Sequence, residues 1–267
     1  MPHRLLPVLI GGIVGVAFTQ IASAADLPRK APAYTPPPPP PFTWTGFYVG
    51  LNAGGHWAKD DVTTAASVPN FGALGAASFD AGAAGTNEPS GFIGGLQLGY
   101  NWQINNFVFG LEGDVNGLTG KETRSVLYPG PFPAAGDTFT TSAQSNFLAT
   151  VRGRLGFAFD RVLVYGTGGF AVGNVKTTDS ATVIGGTVLE TTSNTTTRTG
   201  WTAGGGLEYA FAPNWSAKVE YLYVDLGSFD TTIPCVAGCV VVGGPDVLVH
   251  HKWTDNIARV GVNYKFW

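Results

Sequence analysis

Eight segments of this chain alternate apolar side chains with small or polar ones, one residue after the other. A period of two residues is typical of a β-strand whose two faces meet different surroundings. In the first segment, Phe47, Val49 and Leu51 share one face, whereas Tyr48 and Asn52 share the other. Each segment is about ten residues long, the length of a tilted strand that crosses a bilayer. The Gly-rich fifth segment has an ambiguous phase. The segments lie at residues 47–56, 92–102, 107–116, 147–159, 162–173, 201–211, 215–223 and 259–266.

The position of aromatic and charged side chains indicates what each face meets. A secreted β-sandwich shows the same alternation, with its apolar face buried. Here the apolar face is dense in Phe, Trp and Tyr at the segment ends, as in the aromatic girdles of a membrane barrel. A charge in the middle of a lipid-facing band costs about 2–4 kcal/mol, and the seven clearly phased segments place none there. The alternation therefore favours strands that face hydrocarbon.

Charge and hydropathy exclude two other classes of protein. The formal net charge is −3, whereas an electrostatic nucleic-acid binder is basic, so we expect no nucleic-acid partner. After residue 24 no apolar stretch reaches the roughly 18 residues that a transmembrane helix needs. A membrane-embedded mature chain must therefore be a β-barrel.

The connections between the segments alternate strictly in length. This rhythm is typical of a meander that turns briefly at one membrane face and widely at the other. We therefore predict an all-β fold: one eight-stranded antiparallel transmembrane β-barrel over residues 43–267, an up-and-down meander in the outer membrane of a Gram-negative bacterium. Its short periplasmic turns lie at 103–106, 160–161 and 212–214, and its long extracellular loops at 58–90, 117–146, 174–198 and 226–255.

The first 42 residues resemble neither strand nor loop. Residues 1–24 have the basic start, apolar middle and small-residue end of a secretory signal peptide, with predicted cleavage between Ala24 and Ala25. Residues 25–42 form a proline-rich periplasmic tether, and Pro36–Pro41 should adopt the stiff polyproline II conformation. The tether either contacts peptidoglycan or is a spacer without a partner.

The inward faces carry nine charged residues whose signs nearly balance. Acids and bases on neighbouring strands can pair across a narrow lumen, which eight strands make just wide enough for side chains to fill. We interpret the set as a satisfied polar network; a constricted ion path and an acid–base catalytic pair are the alternatives. The set comprises Glu112, Asp114, Arg152, Arg154, Glu208, Lys218, Glu220, Arg259 and Lys265.

The two cysteines, Cys235 and Cys239, lie in the last long loop. In an exported chain their spacing favours one disulfide. A metal site with His250 and His251, or free thiols, are the alternatives. His56, at the end of the first strand, is interpreted as structural. No motif for a nucleophile elbow or a zinc protease occurs, so we expect no catalytic residue, cofactor or metal.

Four stretches resemble the porin-like surface-antigen family of alphaproteobacterial outer-membrane proteins, which are OmpA-like eight-stranded barrels. The stretches are Ala25–Pro28, Phe42–Gly50, Val219–Gly227 and Asn256–Phe266. The family usually ends at an aromatic residue in the position of Phe266, whereas this chain adds Trp267.

The resemblance implies insertion by the barrel-insertion machinery, contact with outer-membrane lipid and lipopolysaccharide, and a structural and surface role without catalysis. That role comprises envelope integrity and surface antigenicity. A narrow porin or a haem-binding surface receptor is the alternative function. A lipid-modifying barrel enzyme is a further one; it needs a Ser–His pair facing lipid, whereas His56 faces inward by its phase.

Overall fold

The computed structural model describes residues 41–66, 83–127, 138–183, 187–234 and 245–266. The predicted cleavage site at Ala24 and Ala25, most of the tether, both cysteines and Trp267 lie outside these residues. In the described part, no helix is long and apolar enough to cross a membrane. The strands are β1 Gly46–Ala66, β2 Gly85–Asn87, β3 Ser90–Ile104, β4 Phe107–Leu118, β5 Lys121–Leu127, β6 Thr138–Gln144, β7 Phe147–Phe159, β8 Val162–Val183, β9 Thr187–Ala210, β10 Trp215–Pro234 and β11 Pro245–Lys265.

Eight of these strands form a closed antiparallel ring. The ring runs β1–β3–β4–β7–β8–β9–β10–β11 and returns to β1, so that each strand pairs on both sides. Closure leaves no free sheet edge in hydrocarbon, where an unpaired backbone group has no water to bond. β2 pairs with β1, β5 pairs with β6, and β6 continues the wall beside β8. The predicted eight-stranded meander is confirmed.

The two faces of the ring differ as the alternation predicts. Side chains such as Phe92 and Leu111 point outward and are 80% and 67% exposed in the isolated chain. The side chains that alternate with them along β3 and β4 point inward and are buried. The structure also resolves the ambiguous fifth segment, because Phe170 points outward whereas Leu163 and Tyr165 are buried.

The periplasmic end has short turns and an apolar plug. Asn105 and Asp160 adopt positive φ angles of 54° and 53° in the β3–β4 and β7–β8 turns, a conformation that Asn and Asp tolerate better than most residues. Trp44, which precedes β1, is buried under the barrel mouth and donates from Nε1 to the Asp160 carbonyl oxygen at 3.1 Å. A cluster packs around it: Trp44, Val108, Ala158, Leu163, Tyr165 and Ala210.

The extent of the long loops is predicted wrongly. Much of the region assigned to them is strand: β8 and β9 take up most of 174–198, β10 and β11 take up most of 226–255, and β5 and β6 form a hairpin within 117–146. Outside the membrane the outward face carries Lys, Asp and Thr, for example at Lys59, Asp61 and Thr63. These strands therefore lack the aromatic stripe by which the membrane segments were identified. We call the part of the wall beyond Trp57 and Trp201 the extracellular extension.

We expect Leu111→Arg to lower the free energy of unfolding by about 2–4 kcal/mol, because it places a charge on the lipid-facing wall. Thr63→Arg, on the outward face of the extension, should change it by less than about 0.5 kcal/mol. Denaturant titration of both variants in lipid vesicles measures the difference. Equal losses would contradict a hydrocarbon environment around Leu111.

Candidate functional site

Eight of the nine predicted lumen charges meet inside the membrane-spanning part of the barrel. Each is at most 4% exposed. They come from β4, β7, β9, β10 and β11. The pairing of neighbouring strands places these charged residues at similar depths in the barrel. The register sets an acid directly opposite a base in three neighbouring pairs: Glu112 with Arg152, Glu208 with Lys218, and Glu220 with Arg259.

Arg152 is the centre of the network. Its Nη2 lies 2.5 Å from Glu112 Oε1 and 2.7 Å from Asp114 Oδ2, both on the neighbouring strand β4. Its Nη1 lies 3.2 Å from Glu220 Oε1 on β10, across the lumen. One guanidinium therefore joins opposite walls of the barrel, because its several N–H groups reach three different carboxylates.

Two further bases approach the same carboxylates from the other wall. Arg259 Nη2 lies 2.6 Å from Glu220 Oε2 and 3.1 Å from Asp114 Oδ2. Lys218 Nζ donates to both oxygens of Glu112 at 2.8 and 2.9 Å. Since each carboxylate contacts bases from more than one strand, the network crosses the whole lumen.

A smaller group lies beside this centre. Arg154 pairs with Glu208, and its guanidinium carbon lies 3.6 Å from the centre of the Tyr165 ring. Glu208 also accepts hydrogen bonds from Ser216 at 2.5 Å and Asn263 at 2.8 Å. The four acids and four bases balance, so the lumen carries no net charge from these groups.

Two tyrosines that were not in the predicted set complete the network. Tyr48 donates to Glu112 at 2.7 Å, and Tyr165 donates to Glu220 at 3.0 Å. The inward phase of Tyr48 was readable from the alternation. The role of Tyr165 was not, because its segment had no clear phase.

Lys265 is wrongly included in the predicted set. It lies near the periplasmic rim, where Nζ donates to the Thr43 carbonyl and stands 4.5 Å from the centre of the Phe42 ring. The last strand ends there, so the inward phase of Lys265 places it below the network.

An apolar layer lies inside the barrel towards the extracellular side of the network. This layer differs from the small and polar inward residues that the alternation predicts. Large side chains that are fully buried, such as Leu222, Trp253 and Ile257, fill the lumen there. The layer comprises Ala58, Ile93, Leu118, Ala143, Leu148, Ala171, Val175, Leu222, Val224, Leu226, Phe229, Trp253 and Ile257.

A buried histidine stands between two carboxylates in the extracellular extension. His251 Nδ1 lies 3.0 Å from Asp60, and Nε2 lies 3.6 Å from Asp179 Oδ2. Its ring stacks on Phe229 with centroids 4.9 Å apart. Burial disfavours the charged imidazole, but the carboxylates of Asp179 and Asp60 outweigh burial and raise the pKa of His251 to about 9.

The other histidines have separate partners. His250 points outward and lies 2.6 Å from Asp230, so the adjacent His250 and His251 occupy opposite faces and cannot ligate one ion together. Among the described residues, no group of three or more His, Cys, Asp and Glu side chains is arranged to hold a metal ion. His56 contacts Asp255 at 3.0 Å and the Thr119 carbonyl at 2.7 Å.

The closed ring, the apolar outer belt and the charged lumen together define an integral outer-membrane β-barrel protein. The comparisons with known proteins agree with this class. The family model of the outer membrane protein beta-barrel domain matches residues 37–266. The chain belongs to this family, and the resemblance noted in its sequence is confirmed.

Three relatives illustrate the family. The 31 kDa outer-membrane immunogenic protein of Brucella melitensis is 37% identical over 262 residues, 95% of this chain and 97% of that protein. The 22 kDa outer membrane protein of Rhizobium leguminosarum is 30% identical over 84% of this chain and 79% of its own length. The 25 kDa outer-membrane immunogenic protein of Brucella abortus is 27% identical over 92% of this chain and 96% of its own length.

Lys218→Met should lower the free energy of unfolding by about 3–5 kcal/mol, because it leaves Glu112 and Glu220 buried with less compensation. Lys59→Met is the matched control, since Lys59 and Glu88 form an exposed pair at 3.4 Å. The control should cost less than about 1 kcal/mol. Denaturant titration in vesicles compares the two variants, and similar small losses would contradict a tightly coupled network.

Protonated His251 should stabilise the extension up to mildly alkaline pH. Its folded pKa of about 9 lies above the ordinary value of about 6.5. The contribution is therefore complete below about 6.5 and is lost as the pH rises through about 9. An NMR titration of the His251 ring should show the raised midpoint, and His251→Gln should lose less stability than the wild type between these pH values. A midpoint at or below the ordinary value would refute the arrangement.

Proposed function

We propose that this protein is a closed outer-membrane barrel with a structural and surface role and no catalytic activity. It contributes to envelope integrity and presents the extracellular extension at the cell surface. The observation that carries the proposal is the layered filling of the lumen.

Three layers block the lumen in series. The Trp44 cluster closes the periplasmic mouth, the charged network crosses the middle, and the apolar layer around Trp253 lies above it. An ion in transit would have to displace side chains in all three, and the apolar layer offers it no polar partner to replace water. The filled lumen therefore supports a closed barrel rather than a narrow porin.

The surface role rests on the extension and on the relatives. β8 and β9 continue well beyond the outward-facing Phe170 and Trp201 into water. Two of the relatives above are named outer-membrane immunogenic proteins. We propose lipopolysaccharide as the neighbour of the outward belt, the barrel-insertion machinery as the assembly partner, and peptidoglycan as a partner of the tether.

The absence of catalysis is supported by how the candidate groups are occupied. The eight network charges contact one another, and both ring nitrogens of the inward-facing His56 contact Asp255 or Thr119. His56 is therefore not free to form the lipid-facing Ser–His pair that a lipid-modifying enzyme would need.

Planar-bilayer recording tests the closed lumen. The wild type should show no stable single-channel steps. The triple variant Trp44→Ala, Arg152→Ala and Trp253→Ala truncates the largest side chain of each layer and should conduct. Reproducible steps from the wild type, as large as those of the variant, would overturn the proposal.

A further inference from the structure

In the described part of the extracellular extension, β9 and β10 have no backbone pairing with each other. Within the membrane these strands pair from Ala210 with Ser216 up to Trp201 with Asp225. Beyond Trp201, β9 pairs only with β8, and beyond Asp225, β10 pairs only with β11, as far as the described residues show. We call the gap flanked by residues 191–200 of β9 and residues 227–232 of β10 the seam.

A β-bulge marks the start of the seam. The register of β10 against β11 shifts between Asp225 and Gly227, so that Leu226 is the extra residue. Gly227 has a φ angle of 76°, which a glycine adopts without strain. Asp225 Oδ1 accepts a hydrogen bond from the Gly227 amide at 2.8 Å. Because a bulge bends its strand, it accounts for the end of the pairing between β9 and β10 at this point.

Above Arg198, the β9 edge of the seam lacks the usual protection. Free edges in natural sheets carry Lys, Pro or other features that prevent a further strand from pairing. Residues 191–197 read Thr-Thr-Ser-Asn-Thr-Thr-Thr, without a charge or a proline. Thr is a good strand former, so the edge holds an extended row of backbone donors and acceptors. It lies beyond the outward-facing Trp201, on the aqueous side of the membrane interface.

We propose that the seam binds an extended polypeptide segment of another protein, which adds to β9 as a further strand. Only an extended backbone complements a row of alternating N–H and C=O groups. The base of the seam offers an anchor: the Arg198 guanidinium lies 4.5 Å from the centre of the Phe229 ring, and its buried Nε has no acceptor within the described part of the chain. That donor suits a backbone carbonyl or a carboxylate of the segment.

A second copy of this chain fits the seam less well. Barrel strands tilt by about 35–45° from the barrel axis. Two copies related by a two-fold axis along the membrane normal would therefore bring their β9 edges together crossed, whereas strand addition needs them aligned. The geometry thus favours a single extended segment as the occupant.

The test uses the full chain in lipid nanodiscs and a phage-displayed library of linear peptides about as long as the 191–200 edge. We expect the wild type to enrich peptides over empty nanodiscs. A synthetic peptide of an enriched sequence should slow hydrogen exchange of the 191–200 amides. Deletion of Leu226 removes the bulge and lets β9 and β10 pair further, so it should weaken binding by about tenfold or more, the equivalent of one or two hydrogen bonds.

Thr63→Lys is the control, because Thr63 lies on β1 and pairs with His250 of β11. It should bind the peptide like the wild type, and heat-modifiable migration on gels shows whether each variant is folded. The proposal is overturned if no peptide is enriched, if the peptide binds a folded Leu226 deletion equally well, or if protection falls outside the seam. Light scattering that shows a dimer, with the edge protected only in that dimer, would also overturn it by identifying a second copy as the occupant.

Discussion

Hydrocarbon solvates neither charges nor unpaired backbone groups, and this constraint organises the whole molecule. The eight ring strands pair on both sides, so their backbone polar groups are satisfied within the ring at membrane level. The alternation of strand side chains then sends apolar residues such as Leu111 and Val151 to the lipid and the eight network charges to the lumen.

The charges that point into the lumen need partners of opposite sign there. Taking eight ionised groups out of water is costly, and the cost is offset only when each charge has close partners of opposite sign. Arg152 reaches three carboxylates, and Glu112 contacts both Arg152 and Lys218, so the charges are shared rather than paired one to one. The apolar side chains above and below this network make the interior a packed core.

Outside the membrane the same strands are surrounded by water, so their constraints differ. Water satisfies free backbone groups there, so β9 and β10 can separate at the Leu226 bulge without the cost that an open edge has in lipid. The outward face needs no apolar stripe and carries Thr, Asp and Lys. A buried His251 between Asp60 and Asp179 links strands across the extension where backbone pairing is incomplete.

The amino-acid sequence by itself determined the barrel, its phase in seven segments, the short turns and eight of the nine predicted inward charges, since each follows from a local period of two residues and from the cost of charge in lipid. The phase around Tyr165 was hidden by glycines, and the extension lacks the aromatic stripe, so both needed the structure. Only the tertiary structure decided that Lys265 lies at the rim, that Arg152 spans the lumen to Glu220, and that the wall opens beyond Trp201. Those outcomes depend on the register and curvature of strands far apart in the chain, which a local pattern does not encode.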